Sequence, residues 1–463
     1  MADTNSYFYS SDTEKQTLHR RIVPNQKQFE QQQERWHDLR DYLKDALNEE
    51  TGLTIYSWLQ GSYKFGTQVR PKDTKEEFDI DLGIYFKWDG SRDAGKYKAV
   101  ELKHIVQKHL KNYAKETEDA TSVLEPPKER CNRVSFTEGF HIDTPVYHLD
   151  EETDTRSLAT ETKDWEDSDP KAIYLWFREN FSDDDSNQVR RQIRYLKMWA
   201  ALNLDNPPSS ILLTVLASEA YLTLSEEQTT GDDNALFNLA KVIKARLEKS
   251  SEVKNPVDSI EDLNRLSEME YFLFLEALDV LINTADRAIS ADTAATSATI
   301  WSEVFKHFFP APVSETVQSQ DAGTLTKVLF VPKVKAIAHS NTNSNFGPWE
   351  GEDELGPIPR QCTIKFKLVN HTQLPEGAHV QWVVRNEGEE AECINDLGHH
   401  AGENSSEAEE NSAYNGSHYM DVIVTIPFQG VVGFARIPVH IKGPAIPPRN
   451  PKKPGWTRIQ RKK

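Results

Sequence analysis

The sequence predicts an α+β fold, with a mixed sheet behind a long N-terminal helix, then a helical lobe, then a small β-sandwich-like C-terminal domain. Three observations carry this. Over 24–47 the apolar residues Phe29, Trp36, Leu39, Leu43 and Ala46 recur at spacings near seven, three and four, the stripe of a long helix with a glutamine-rich polar back. Segments 78–86 and 133–147 alternate apolar and polar residues beside turn signals and read as strands. After about residue 310 helical periodicity gives way to short alternating runs bounded by Gly, Pro and Asn.

Each element follows in order. The first helix leads into "LQGSYKFGTQVRPKDTKEEFDIDLGIYF", a Gly-Ser turn ahead of a strand, and 97–113 is a helix between the two predicted strands. From 170 to about 309 the pattern is helical almost throughout, with "VRRQIRYLKMWAAL", "SILLTVLASEAYLTL", "NALFNLAKVIKARLEK" and "MEYFLFLEALDVLINTADRAI" as its periodic pieces. "PRQCTIKFKLVN", "AHVQWVVRNEG", "HYMDVIVTI" and "GFARIPVHIKG" are the strands of the C-terminal domain, and "HHAGENSSEAEENSAYNGSH" reads as an acidic, flexible insertion within it. The expected limits are 1–165 for the sheet-bearing core, 166–312 for the helical lobe, 313–358 for a linker, 359–443 for the β-rich domain and 444–463 for a Pro-rich basic tail. No internal repeat is found.

Composition narrows the function classes. The 463 residues exceed what one core usually organises, and the 37% hydrophobic fraction with ten Trp and twenty Phe fits a folded chain rather than a disordered one. No apolar run reaches the roughly 18 residues of a membrane helix and the N-terminus lacks a signal-peptide core, so a cytoplasmic protein without membrane contact is expected. Cys131, Cys362 and Cys393 are too few and too scattered for a disulfide framework or a four-cysteine zinc site. The net charge of −19 disfavours a long nucleic acid as partner.

Within the quoted stretch, Asp79 and Asp81 alternate with Phe78, Ile80 and Leu82, so a strand projects both carboxylates from one face. Two adjacent carboxylates repel unless a cation lies between them, and Mg²⁺ takes one or two carboxylates together with substrate phosphates. Asp143 in "GFHIDTPVYHL" is a third acid on a predicted strand. Three acids on adjacent strands suit two ions about 3.5–4 Å apart, as in phosphoryl transfer. Gly61 and Ser62 offer a close backbone approach, amide donors and a hydroxyl for phosphate, and Thr67 another hydroxyl. On the helical pattern Arg190, Arg194 and Lys197 form a basic stripe, read either as an anion site or as a solvated face paired with Asp183, Asp184 and Asp185.

The order Gly-Ser, Asp-Ile-Asp on a strand, then His-Ile-Asp-Thr-Pro resembles the DNA polymerase β-like nucleotidyltransferase superfamily. Within it, "DWEDSDPKAIYLWF", "RYLKMWA" and "PPSSILLTVL" look like the bacterial cGAS/DncV-like nucleotidyltransferases, over roughly 26–310. The resemblance implies that Asp79, Asp81 and Asp143 bind two Mg²⁺ ions, with Mn²⁺ able to substitute, and that Gly61, Ser62, Lys197 and Ser210 (or Ser209 in its place) bind the triphosphate; the residue pattern adds Thr67 and Arg194 to that set. It implies NTP substrates with ATP among them, a cyclic di- or trinucleotide product made for anti-phage signalling, and a separate effector that binds the product. A linear oligonucleotide synthase, another nucleotidyltransferase acting on RNA or protein, and a catalytically silent nucleotide sensor are the competing readings. Farther on, "VQWVVRNEGEEA", "SAYNGSHYMDVIV" and "ARIPVHI" are similar to the adenylyl/guanylyl and SMODS C-terminal sensor domain, through Trp382, Asn386, Glu389, Glu390, Tyr414, Gly416 and His418. That implies a ligand or regulatory partner there. Trp382 itself is either a pocket residue or a core tryptophan.

Overall fold

The computed structural model describes residues 4–12, 15–310, 329–426 and 430–447. The chain divides into two compact units, Met1–Ser319 and Gln320–Lys463.

The first unit is built on an eight-stranded mixed sheet. Its strands are β1 (Thr54–Gln60), β2 (Phe78–Lys87), β3 (Ala120–Val123), β4 (Asn132–Phe136), β5 (Phe140–Thr144), β6 (Val146–Asp150), β7 (Thr155–Ala159) and β8 (Trp165–Asp167). β2 is the spine. Along one side its residues Asp81–Lys87 pair antiparallel with the whole of β1. Along the other its first half runs parallel to β5 and its second half parallel to β6, which follow each other across Pro145. The strand segment expected over 133–147, with its Gly turn before Asp143, is a β4–β5 hairpin that continues into β6. Gly139, at φ +78°, supplies that turn in the left-handed conformation.

One face of this sheet is covered by the helices Gln26–Thr51 and Ala99–Glu116. The first begins with a capping box in which Asn25 and Gln28 satisfy each other's backbone amides, and it ends at Gly52, which adopts the left-handed conformation. Leu39, Leu43 and Leu47 from it and Leu102, Val106 and Leu110 from the second helix meet Ile80, Leu82, Ile84 and Phe86 of β2. That packing consumes every second side chain of β2 and leaves Asp79 and Asp81 on the opposite face.

The helical lobe comprises Pro170–Asn180, Asp183–Asn203, Ser210–Tyr221, Asp232–Leu247, Glu268–Ile289 and Ala294–Phe305. A short hairpin, Lys254–Asn255 with Asp258–Asp262, interrupts the helical run that the sequence predicts. Pro256 removes a helical donor there, and the Asn255 side chain accepts from the Val257 amide at 3.0 Å, closing a turn. The first residues pack on this lobe, with Phe8 edge-on to Tyr195 and Trp301 at 5.3 and 4.8 Å.

The second unit is two sheets around one core. One has the strand order Trp349–Glu352, Val334–Ser340, Cys362–Leu368, Glu407–Asn411; the other runs Leu355–Ile358, Gly430–Ile441, Gly416–Ile426, His379–Asn386, Gly398–Glu403. Two expectations are corrected here. Residues 334–358, expected as linker, supply three strands, and Val334, Ala336, Ala338, Leu355 and Ile358 lie in the core. Residues 313–328 of that linker and 448–463 of the basic tail lie outside the described residues. The expected flexible insertion holds two strands: Ala408 is buried opposite Phe366, while Glu407 and Glu409 pair across the strand with Lys367 and Lys365 at 3.0 and 3.4 Å. Glu407 and Glu409 are the solvent face of an edge strand.

Trp382 is fully buried in this core, its indole donating to the Ser405 carbonyl at 2.8 Å. Trp382→Ala is expected to cost the second unit about 3–5 kcal/mol, read as an early, separate transition in calorimetry. A single unshifted melting profile would contradict this.

Candidate active site

On the open face of the sheet, register decides which side chains meet. Asp81 of β2 lies beside Asp143 of β5, and Asp79 beside His141. Because β2 and β5 run parallel, three carboxylates and one imidazole point from two neighbouring strands to the same side. The His141 Nε2 is 2.9 Å from Asp79 Oδ1, and its Nδ1 is 2.9 Å from Glu77. One ligand atom each from Asp79, His141 and Asp143 lie within 4.8 Å of one another.

Asp143 is the most heavily contacted of the three. Arg133 donates to its two oxygens at 2.5 and 2.9 Å, Lys128 at 3.1 Å and the Cys131 thiol at 3.2 Å. Burial pushes Asp143 up, but the hydrogen bond and charge of Arg133 and the charge of Lys128 outweigh it and hold the group below its ordinary value. Asp81 has no such support. Burial, and then the charges of Asp79 and Asp143, raise it well above the ordinary carboxylate range. The Cys131 thiol is pushed up to about 12 by burial and by Asp143.

Crowded carboxylates of this kind are the donor set of a hard divalent cation, and the two like-charged neighbours add to burial in raising Asp81. Asp79, Asp81 and Asp143 could hold such an ion, with His141 a further donor.

Gly61 adjoins the cluster. It opens the short helix Gly61–Phe65 at φ +56°, and a Cβ placed on it would come within 1.9 Å of Asp81 Oδ2. Ser62 is half-buried and its carbonyl accepts from the Thr67 amide at 2.9 Å; its hydroxyl makes no hydrogen bond among the described residues. Thr67 is buried, with its hydroxyl 3.1 Å from the Lys197 ammonium. Lys197, on the helix Asp183–Asn203, thus ties the lobe to the Gly-Ser turn. Arg190 does the same two turns earlier by donating to the Phe65 carbonyl at 2.8 Å. Arg194 instead faces His19 at 2.9 Å. Asp183, Asp184 and Asp185 occupy the first turn of that helix, where its dipole favours them, so the solvated-face reading of the two arginines does not describe their contacts. Ser209 is engaged as the N-cap of Ser210–Tyr221, bonding the Leu212 amide, whereas the exposed Ser210 hydroxyl makes no hydrogen bond among the described residues.

Between the sheet and the lobe runs a groove of about 1130 Å³ that reaches Gly61 and Asp81 at one end and is bordered by Tyr147, Arg156, Ile211 and Arg265. Sequence reasoning missed His141, Arg133 and Lys128. His141 was recoverable, since it alternates with Asp143 on one strand; the two cations reach Asp143 through the β4–β5 pairing and a loop, which no local pattern encodes.

Burial, and then the charge of Arg194, push Lys197 down to about 7 against the pull of Asp81 and Asp79. Its unfolded value is near 10.4, so between about 7 and 10 the unfolded chain binds the extra proton and stability rises with pH. Lys197→Met is therefore expected to raise the melting temperature more at pH 6 than at pH 9. A difference that is the same at both values would contradict this.

Residues 56–147 match the family described as cyclic GMP-AMP synthase DncV-like, nucleotidyltransferase domain, and residues 333–442 match the adenylyl/guanylyl and SMODS C-terminal sensor domain. The chain thus carries a DncV-like nucleotidyltransferase domain and a sensor domain of that C-terminal type. A cyclic GMP-AMP synthase of Escherichia albertii is 28% identical over 437 residues, 94% of this chain and 95% of that protein. A cyclic GMP-AMP synthase of Vibrio cholerae is 25% identical over 304 residues, 54% of this chain and 67% of that one. In fold, this DncV-like chain is similar to the crystal structure of Escherichia coli DncV in its 3′-deoxy GTP bound form, at TM-score 0.56 and 18% identity, covering 66% of this chain and 96% of that one. Vibrio cholerae DncV in complex with a linear intermediate gives the same values. This DncV-like protein is an enzyme of the nucleotidyltransferase class, and none of its described helices is long and apolar enough to cross a membrane.

Proposed function

We propose that this protein joins nucleoside triphosphates, ATP among them, into a cyclic di- or trinucleotide with release of pyrophosphate, and that the product is a second messenger read by a separate effector in bacterial defence against phage. The observation that carries the reaction is the convergence of Asp79, Asp81 and Asp143 on one sheet face at the end of the groove. Support for a cyclic product comes from relatives named as synthases of cyclic GMP-AMP and, in Roseivirga ehrenbergii, of c-di-GMP.

In this reading the three aspartates hold Mg²⁺, or Mn²⁺ in its place. When bound, the metal supplies charge neutralisation for the triphosphate and acidifies the attacking hydroxyl. The chain does the rest by position. Gly61 brings the backbone close enough for its amide and that of Ser62 to donate to phosphate oxygens. The Ser62 and Ser210 hydroxyls and the Lys197 ammonium approach the same triphosphate, with Thr67 holding the lysine and Arg194 adding positive potential behind it. Asp143, fixed by Arg133, orients the acceptor hydroxyl. Ring closure requires the linear product to remain in the groove after the first transfer.

The test is mass spectrometry of products from the four NTPs with Mg²⁺, before and after phosphatase, for wild type and an Asp79→Ala/Asp81→Ala variant. A phosphatase-resistant product made by wild type alone is expected. Only phosphatase-sensitive products would point to a linear synthase, and no pyrophosphate from wild type to a silent sensor.

A further inference from the structure

The second unit contains a cavity of about 170 Å³ between the ends of its two sheets. Its floor is apolar, with Phe366 from one sheet and Val384, Met420 and Ile441 from the other. Its polar wall is built and ordered. His418 and Asn386, 5% and 8% exposed, lie with His418 Nδ1 3.1 Å from Asn386 Oδ1 and His418 Nε2 3.0 Å from the Tyr414 carbonyl. Asp396 accepts from the Tyr414 hydroxyl at 2.9 Å and from the Asn386 amide at 3.2 Å. Glu410, on the other side, is 2.7 Å from His399.

The charge balance of this wall is unusual for the unit. Its fully buried acid Asp421 is neutralised by Arg385 and Arg436 at 2.6 and 2.7 Å. Asp396 and Glu410 have no Lys or Arg partner, and no Lys or Arg lines the cavity, among the described residues. A carboxylate offers about four acceptor positions, and the donors on Asp396 fill two of them. A phosphate placed here would face two carboxylates, offset only where His399 pairs with Glu410. A cation would find two acceptors and an apolar floor, with Tyr414 in the lining.

We propose that this cavity binds a small organic cation, an amine or guanidinium-type compound with a compact apolar body, its charge set on Asp396 and Glu410 and its body on Phe366, Val384 and Met420. The acids orient the ligand and the floor favours its burial, which is the division of labour of small-molecule sites generally. The site is separate from the aspartate cluster of the first unit and does not depend on the reaction proposed for it.

Calorimetric titration of the full chain with benzamidine, its neutral isostere benzamide, and inorganic phosphate tests this. The benzamidinium ion is expected to bind with a Kd of about 1 mM or tighter, and roughly tenfold more tightly than benzamide. Asp396→Asn and Glu410→Gln should each weaken it by about tenfold. Asp396→Asn keeps an acceptor for Tyr414, and Glu410→Gln alters only the pair with the exposed His399, so ligand-free melting of either variant serves as the folding control. Equal affinity for benzamidine and benzamide, preference for phosphate, absence of binding at several-fold above that concentration, or affinity unchanged in both variants would each overturn the proposal.

Discussion

Asp81→Asn is expected to lower nucleotidyl transfer by on the order of 10³-fold while making the metal-free protein more stable. The two effects have one cause. Asp81 is buried beside Asp79 and Asp143, and burial, then the repulsion of those two acids, raise it against the opposing charges of Lys128 and Arg133. Removing one charge from the cluster relieves that repulsion, a gain on the order of 1 kcal/mol or about 2 °C in melting temperature. The sign of the pH dependence follows. The native state holds the Asp81 proton to higher pH than the unfolded chain does, so metal-free stability falls as pH rises above the ordinary carboxylate value, and the variant lacks that part of the slope. Mg²⁺ reverses the ranking. A ligand that binds only the native state adds RT ln(1 + [L]/Kd), about 2.7 kcal/mol at a hundredfold excess over Kd, and the variant should forgo most of it. Scanning calorimetry with and without Mg²⁺, beside a pyrophosphate-release assay, reads both predictions. A variant that keeps activity within tenfold, or an unchanged Mg²⁺ shift, would remove Asp81 from the proposed metal site.

How far the sequence disclosed this arrangement depended on whether the signal was local. The period-two pattern of β2 is local, so the burial of Ile80, Leu82 and Ile84 and the shared face of Asp79 and Asp81 could be read directly. The lysine on the lobe was legible as part of a helical stripe. What holds Asp143 was not, because Arg133 reaches it through antiparallel pairing with β5 and Lys128 from a loop, and the Gly139 turn by itself does not fix which residues of the two strands stand opposite. The second unit was misread at its edges for a related reason. Val334, Ala336 and Ala338 are small residues that make a weak strand signal until Phe366 and Leu368 are placed against them. Glu407 and Glu409 look like a solvated loop until Lys365 and Lys367 stand opposite. Both strands owe their form to partners distant in sequence, as β-structure commonly does.

Gly61→Ala separates a strained backbone from a displaced carboxylate. Position 61 has φ +56°, so any side chain there incurs about 1–2 kcal/mol of left-handed strain. Gly52, at φ +72°, ends the long helix with nothing within 4 Å of where a Cβ would sit, so Gly52→Ala incurs the same strain and touches nothing. At Gly61 the new methyl would collide with Asp81 Oδ2, and the carboxylate must rotate away from the cluster or the turn must move away from β2. Either motion misplaces a group on which the proposed reaction depends, and a shift of about 1 Å at such a group costs on the order of 10²-fold in rate. The expected result is two variants with similar losses of stability and very different activities: Gly52→Ala close to wild type, Gly61→Ala down by about two orders of magnitude, with a weakened Mg²⁺-induced rise in melting temperature. If the two retained equal activity, the close approach of the Gly-Ser turn to Asp81 would be a packing detail, and the triphosphate would have to be held from the lobe side by Lys197 and Ser210 alone.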